Sequence, residues 1–162
     1  MGSSNAELEK RIEALEARDR IEETMNRYNR SADFGALEEW ADCFMPDGTY
    51  ETAYEDGHVE SRATGTAELL KVVEASRRRN AGAGRHFIIA PDIVVDGDTA
   101  TSTALMGTFT GIPDNVRLKL FGRYFDVLKQ CADGRWRFVS RRSELQGRAA
   151  EFVGLASDGT RS

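Results

Sequence analysis

Apolar positions in the first quarter of the chain repeat at helical spacing. The repeating residues, at offsets of four and three, are Leu8, Ile12 and Leu15, and then Ile21, Met25 and Tyr28. This spacing is typical of one apolar helix stripe and predicts one long helix, or two joined helices, up to the break at residues 33–35. The same pattern from Leu37 to Phe44 predicts a second helix, which the turn-forming residues 46–48 are expected to end.

Beyond residue 48 the pattern changes to one that favours strands. Residues 49–54 and 59–63 flank a predicted hairpin turn, and Gly65-Thr66 opens a third helix. Four strand candidates follow. They span residues 85–95, with a break at Pro91, and residues 99–110, 116–129 and 135–146.

Helices first and a meander of strands afterwards predict an α+β fold. We expect a cone-shaped α+β barrel, in which the N-terminal helices pack in a curved, mostly antiparallel sheet and enclose a pocket. The chain of 162 residues is predicted to be one domain at residues 8–146. Residues 1–7 are expected to be disordered or tag-like, and residues 147–162 to form a tail with a short helix around Phe152 and Leu155.

Charge and cysteine usage narrow the function classes. The 22 basic and 27 acidic residues give a net charge of −5 and are interspersed, so no basic face indicates a nucleic-acid partner. The one exception, Arg77-Arg78-Arg79, is interpreted as a solvated helix end. Cys43 and Cys131 lack metal-ligand spacing, so we expect free thiols and no metal. The charged N-terminus has no apolar run, which predicts a cytoplasmic protein without a membrane partner.

The chain has two histidines, His58 and His86, so any histidine-dependent mechanism must use one of them. His58 lies at a predicted turn, whereas His86 opens an apolar strand, where a buried imidazole needs a partner. Asp33 ends the first helical region, where a turn-forming role would also account for it. A carboxylate that accepts the Nδ1 proton of a histidine fixes its tautomer and raises the basicity of Nε2, which suits proton abstraction.

Several stretches of the chain carry a resemblance to a known family. They are residues 27–33 (RYNRSAD), 40–48 (WADCFMPDG), 84–88 (GRHFI), 95–100 (VDGDTA), 122–124 (GRY) and 133–138 (DGRWRF). Together they resemble the SnoaL-like branch of the nuclear transport factor two-like (NTF2-like) superfamily, over about residues 8–146. The resemblance implies a homodimer or homotrimer.

Within that superfamily the chain is most similar to the scytalone dehydratase and hexachlorocyclohexane dehydrochlorinase branch. The resemblance implies that Asp33 orients His86 as the base of an elimination, without a cofactor. Two positions depart from those enzymes. Ala104 stands where the dehydratase has a second histidine, and Tyr28 stands where the dehydrochlorinase has a lysine.

Strand alternation suggests further pocket residues, since Arg123 and Phe125 share one strand face, and Tyr50 and Tyr54 share another. On a pocket face Arg123 could hold a carboxylate, a phenolate or a developing oxyanion, and on the outer face it would be an ordinary exposed arginine. The Tyr28 hydroxyl could donate to a substrate carbonyl or end a packed ring. The predicted catalytic residues are Asp33, His86, Tyr28 and Arg123, and the predicted substrate-binding residues are Tyr50, Tyr54, Trp40, Phe44, Met106 and Phe125.

The function expected from these residues is that of a cofactor-independent lyase or isomerase, of the dehydratase or cyclase type, acting on a small hydrophobic cyclic or polyketide-like substrate. The alternative is a non-catalytic small-molecule-binding or dimerisation module of the same fold. An epoxide hydrolase would need an arginine flanked by two carboxylates, and Asp126 falls on the strand face opposite Arg123, which argues against it.

Overall fold

Two helices precede the first strand in the computed structural model, which describes residues 2–79 and 83–148. Helix α1 spans Gly2–Asp33 as one continuous element, so residues 2–7, expected to be disordered or tag-like, extend this helix. It ends where the sequence predicts. The amides of Phe34 and Gly35 both donate to the carbonyl of Arg30 and close the last turn.

Helix α2, Leu37–Ala41, is shorter than predicted, and strand β1, Phe44–Tyr54, begins where the helix was expected to continue. The predicted turn at residues 46–48 is wrong, because these residues lie within β1. The strand stays attached on both sides of this segment, since Phe44 pairs with Phe138 and Thr49 with Ser140 across a register shift. This register shift accommodates residues 46–48, for which the sequence predicts a turn, within the strand.

The remaining elements agree closely with the predicted order. They are β2 (Val59–Thr64), α3 (Thr66–Arg79), β3 (Arg85–Asp96), β4 (Thr99–Thr110), β5 (Arg117–Gln130) and β6 (Trp136–Arg148). The predicted break at Pro91 is confirmed as a register shift between Ile89 and Asp92. Because β6 extends to Arg148, the first two residues of the predicted tail belong to the sheet. The helix expected around Phe152 and Leu155 lies outside the described residues.

One curved sheet carries all six strands in the order β2-β1-β6-β5-β4-β3. Among the strand pairs that the structure describes, only β1–β6 is parallel, so the prediction of a mostly antiparallel sheet is confirmed. The two edge strands do not pair with each other, which leaves the sheet unclosed.

The second half of α1 supplies the helical part of the core. Ile21, Met25 and Tyr28 are buried against the sheet, whereas Leu8 and Leu15 in the first half are more than half exposed. The apolar stripe therefore predicts the core correctly only beyond about residue 20. Among the described helices, none combines the length and apolar character that a membrane crossing requires.

Candidate functional site

Asp33 and His86 meet where the end of α1 touches the start of β3. The Asp33 Oδ1 lies 2.6 Å from the His86 Nδ1, and its Oδ2 accepts the His86 backbone N–H at 2.8 Å. One carboxylate thus engages both the ring and the main chain of the same histidine, which fixes the position of the imidazole twice. The Asp33 side chain is 5% exposed, whereas that of His86 is 21% exposed.

This geometry decides which ring nitrogen can react. A carboxylate is an acceptor, so the Asp33 contact places the proton of the neutral ring on Nδ1. His86 lines the pocket described below and Asp33 does not, so the unprotonated Nε2 is the ring nitrogen left for a ligand there. A ring held in this way can accept a proton at Nε2.

Arg77 on α3 holds the end of α1 that carries Asp33. Its Nη2 donates to the carbonyls of Ser31 at 2.6 Å, Ala32 at 3.1 Å and Gly35 at 2.9 Å. A guanidinium at a helix C-terminus satisfies carbonyls that have no partner within the helix and complements the helix dipole. The interpretation of Arg77 as part of a solvated helix end is therefore wrong.

A cavity of about 370 Å³ opens beside His86, between α3 and the inner face of the sheet. Its apolar wall includes Met106, Leu120 and Leu145, and its polar wall includes Tyr50 and Tyr124. Burial strongly raises the pKa of Tyr124, so its hydroxyl stays protonated and can donate a hydrogen bond at neutral pH. The pocket therefore places the His86 imidazole and two phenolic hydroxyls around one cavity of mixed polarity.

The sequence profile of the SnoaL-like domain matches residues 13–142. The chain belongs to the SnoaL-like domain family. No curated protein sequence matches the chain.

Solved structures agree with the SnoaL-like assignment and with the NTF2-like, cone-shaped α+β fold predicted from the sequence. An NTF2-like protein with a cystatin-like fold from Novosphingobium aromaticivorans superposes with a TM-score of 0.77 at 25% identity, covering 89% of this chain and 91% of that one. A protein of unknown function from Mycobacterium tuberculosis superposes with a TM-score of 0.69 at 27% identity, covering 86% and 80%. ActVI-ORFA from Streptomyces coelicolor, with a TM-score of 0.66 at 19% identity and coverage of 80% and 94%, shares the fold.

Two of the other predicted site residues of this SnoaL-like domain, Tyr50 and Met106, line the pocket with His86. Three more are core residues. Tyr28 packs with its ring centroid 5.1 Å from that of Trp40 and 6.0 Å from that of Phe44, and none of these three lines the pocket. Burial raises the pKa of the Tyr28 hydroxyl well above its ordinary value. Its position favours a packing role over the catalytic role predicted for it.

Tyr54 also lies apart from the pocket wall. Its hydroxyl donates to Glu60 at 2.8 Å, and its ring stacks on that of His58. Glu60 does line the pocket, and so does Arg148, whose guanidinium lies 5.9 Å from the Tyr54 ring centroid, so Tyr54 contacts two lining residues without lining the pocket itself.

The placement predicted for Arg123 and Phe125 is wrong by one strand face. In the SnoaL-like domain the even-numbered residues of β5 from Gly122 to Leu128 are buried, so Tyr124 points inward and its neighbours point outward. Arg123 forms an ion pair with Glu144 at 2.7 Å, with 41% of its side chain exposed. It is therefore not part of the candidate site.

A buried ion pair between β5 and β6 was not predicted from the sequence. Arg141 donates through Nε and Nη2 to the two oxygens of Asp126, at 2.8 Å each, and both side chains are fully buried. The guanidinium lies about 4 Å from the ring centroids of Tyr124 and Phe138. Asp126 lies two residues after Tyr124 on β5, so strand alternation could have predicted from the sequence that both face inward. The register shift in β5–β6 pairing breaks the same alternation before Arg141.

Metal coordination has no candidate cluster in residues 2–79 and 83–148. No group of three or more histidine, cysteine, aspartate or glutamate side chains there could hold an ion. Cys43 is buried and Cys131 is partly exposed, and both are free thiols. Burial raises the pKa of the Cys43 thiol to about 11.

Proposed function

We propose that this SnoaL-like domain is a cofactor-independent lyase or isomerase of the dehydratase or cyclase type. His86 acts as the general base, Asp33 orients it, and the substrate is a small cyclic or polyketide-like molecule. The observation that carries the proposal is the double contact of the Asp33 carboxylate, with the Nδ1 and with the backbone N–H of the histidine that faces the pocket.

The chemistry is a proton transfer that these residues can complete alone. The Nε2 of His86 takes a proton from a carbon next to a carbonyl or a leaving group, and the nearby Asp33 carboxylate stabilises the imidazolium that forms. In an isomerisation the imidazolium returns that proton to another carbon. In an elimination the electron pair of the broken C–H bond forms the double bond, and the imidazolium gives the proton to the departing group.

Phenolic hydroxyls stabilise the negative charge that develops on the substrate oxygen. Tyr50 and Tyr124 line the same pocket, and a protonated phenol there can donate a hydrogen bond to a carbonyl oxygen as negative charge develops on it. General acid–base catalysis contributes about 10²–10⁴-fold in rate, so positioning and these donors must supply the rest.

Solvent deuterium exchange tests the proposal without knowledge of the natural substrate. The probe is 2-tetralone, a cyclic ketone whose α-protons exchange with D₂O when a base removes them, followed by ¹H NMR. We expect exchange above buffer background in the unaltered protein, loss of about 10²-fold or more in His86→Gln, and a large loss in Asp33→Asn. His58→Gln is the matched control, since His58 lies outside the pocket, and it should exchange at the original rate.

A binding module gives a different result from an enzyme in the same assay. If 2-tetralone and a panel of cyclic ketones and polyketide-like phenols bind but exchange at background rates, the non-catalytic alternative is favoured. Equal exchange in Asp33→Asn, His86→Gln and the unaltered protein would refute the dyad as the site. The epoxide hydrolase alternative gains no support, because Asp126 is engaged by the buried Arg141 and does not line the pocket.

A further inference from the structure

Basic side chains collect at one side of the pocket, although the protein as a whole is acidic. The net charge of the chain is −5, yet Arg79, Lys119 and Arg148 line the cavity with Glu60 as the one carboxylate among its described lining residues. The described lining of the cavity therefore holds more cations than carboxylates. We name these four residues the basic edge.

The sheet register places the basic edge across from the base. His86 pairs with Thr108, Thr108 with Leu120, and Leu120 with Arg148, so one row of residues crosses four strands on the inner face. Three strand spacings amount to about 14 Å along a flat sheet, and curvature brings the inward side chains closer. A small cyclic molecule can therefore touch both ends of this row.

A bulge turns Lys119 toward the pocket. Strict alternation would point Lys119 away from the side on which Leu120 lies. The pairing shifts between Thr108 and Phe109 on β4, which makes Lys119 the extra residue on β5, and both Lys119 and Leu120 line the cavity. Bulges recur beside functional sites because they re-aim a side chain in this way.

The basic edge combines one ion pair with repulsion between its cations. Arg148 approaches Glu60 at 3.4 Å, and Glu60 also accepts the Tyr54 hydroxyl. Within the described residues the buried Nε of Arg148 has no hydrogen-bond acceptor. Burial, followed by repulsion from Arg79 and Arg148, lowers the pKa of Lys119. An anion at this position would relieve that repulsion.

We propose that the basic edge binds the carboxylate of a cyclic organic acid, with Lys119 and Arg148 as its direct partners and the ring against Met106, Leu120 and Leu145. This inference deepens the proposed function, on which it rests, by naming the substrate class of the same pocket. The carboxylate anchors one end of the substrate, and the ring extends toward Nε2 of His86. Arg79, which is exposed, adds attraction from the mouth of the pocket.

A matched pair of ligands tests the carboxylate preference. The probes are 2-naphthoate and 2-naphthamide, which have the same ring and differ in charge, with affinities measured by isothermal titration calorimetry. We expect 2-naphthoate to bind at least about tenfold more tightly than 2-naphthamide, and added NaCl to reduce that advantage. Equal affinities, or no binding of either probe at millimolar concentration, would overturn the proposal.

Substitutions in the basic edge test which residues cause the preference for 2-naphthoate. Lys119→Gln and Arg148→Gln should each reduce the affinity ratio severalfold, and Lys119→Arg should retain it because the charge remains. Lys129→Gln is the control, since Lys129 is on the same strand but outside the pocket and forms an ion pair with Asp98. A ratio that stays the same in both Lys119→Gln and Arg148→Gln would contradict the assignment. Circular dichroism melting confirms that the variants compared are folded.

The design separates this inference from the proposed catalysis. Asp33→Asn should lose deuterium exchange but keep the preference for 2-naphthoate, because Asp33 does not line the pocket. If exchange is absent in every variant while the preference persists, the proposed enzyme function fails and the carboxylate site stands. If exchange depends on Asp33 and His86 while the preference for 2-naphthoate is absent, the carboxylate site fails and the proposed enzyme function stands.

Discussion

At the scale of single residues, Asp33 and His86 each have a structural role that would account for them alone, and the contact between their side chains is what favours a functional role. Asp33 alone is a helix-terminal residue, and His86 alone is a strand histidine. Their pairing was predictable because the chain has only two histidines and because the family resemblance covered both positions. The second contact, from the His86 backbone to the same carboxylate, depends on where β3 begins and could not be predicted from side-chain chemistry.

The inward and outward choices of single strand residues were harder to predict. Arg123 and Tyr124 are neighbours on β5, so their side chains point to opposite faces of the sheet. The sequence-based prediction placed Arg123 in the pocket, whereas Tyr124 lines the pocket and Arg123 forms an ion pair outside it. The buried Arg141 was hidden by an irregularity in the pairing of its strand. Side-chain chemistry was easier to predict than side-chain direction.

The buried ion pair gives a prediction for stability at this scale. Asp126→Ala leaves the Arg141 guanidinium charged and without its carboxylate in the core, so we expect the free energy of unfolding to fall by about 3–5 kcal/mol. Urea denaturation followed by circular dichroism measures it. Arg123→Gln, which breaks an ion pair that is partly exposed to solvent, is the control and should cost less than about 1 kcal/mol. Similar losses in both variants would contradict the difference in burial.

At the scale of elements, the contact between Asp33 and His86 depends on how α1, α3 and β3 are packed together. Helix and strand bounds were predicted to within a few residues for most elements, since their periodicity and turn residues agree. The exception was α2 and β1, because residues 46–48 have turn chemistry but lie inside a strand whose pairing continues around them. The role of Arg77 was not predictable, because its acceptors lie more than 40 positions earlier in the chain.

The Arg77 contact can be tested against its neighbour on the same helix. Arg77→Met removes three hydrogen bonds at the end of α1, so we expect a loss of about 1–3 kcal/mol in unfolding free energy, together with reduced deuterium exchange because Asp33 is less well held. Arg77→Lys should recover part of both. In Arg78→Met only an exposed pair with Glu74 is lost, and the change should stay below about 0.5 kcal/mol. Unchanged exchange in folded Arg77→Met would show that Arg77 does not position the site.

At the scale of the whole molecule, element order and the family resemblance were enough to predict the fold. The inner face of the curved sheet holds the pocket, and its outer face exposes several large apolar side chains. Ile89 on β3, Leu105 on β4 and Phe121 on β5 are each more than 40% exposed. Ile89 pairs with Leu105, and Phe121 pairs with Gly107, two residues from Leu105. The composition of the chain could not show this patch, because it exists only once three strands are aligned.

We expect two copies of the chain to associate through this outer face as a homodimer, which is one of the two assemblies, homodimer or homotrimer, that the resemblance implies. A contiguous apolar patch across neighbouring strands is buried favourably against itself in a two-fold dimer. Sedimentation velocity at micromolar concentration should show a dimer, and Leu105→Lys should shift the protein toward monomer. Thr99→Lys adds the same charge to an exposed position at the far end of the same strand, about 20 Å from Leu105, and is the control. A monomer in the unaltered protein would contradict this prediction.

The most direct measurement of the central claim is the tautomer of His86, since it needs no substrate. Long-range ¹H–¹⁵N NMR spectra of ¹⁵N-labelled protein, with His58→Gln used to assign the two histidines, distinguish protonated from unprotonated ring nitrogens. At a pH where the ring is neutral, we expect Nδ1 to carry the proton and Nε2 to be unprotonated, and we expect Asp33→Asn to weaken this preference. A neutral His86 with its proton on Nε2 in the unaltered protein would contradict an Asp33-oriented base facing the pocket.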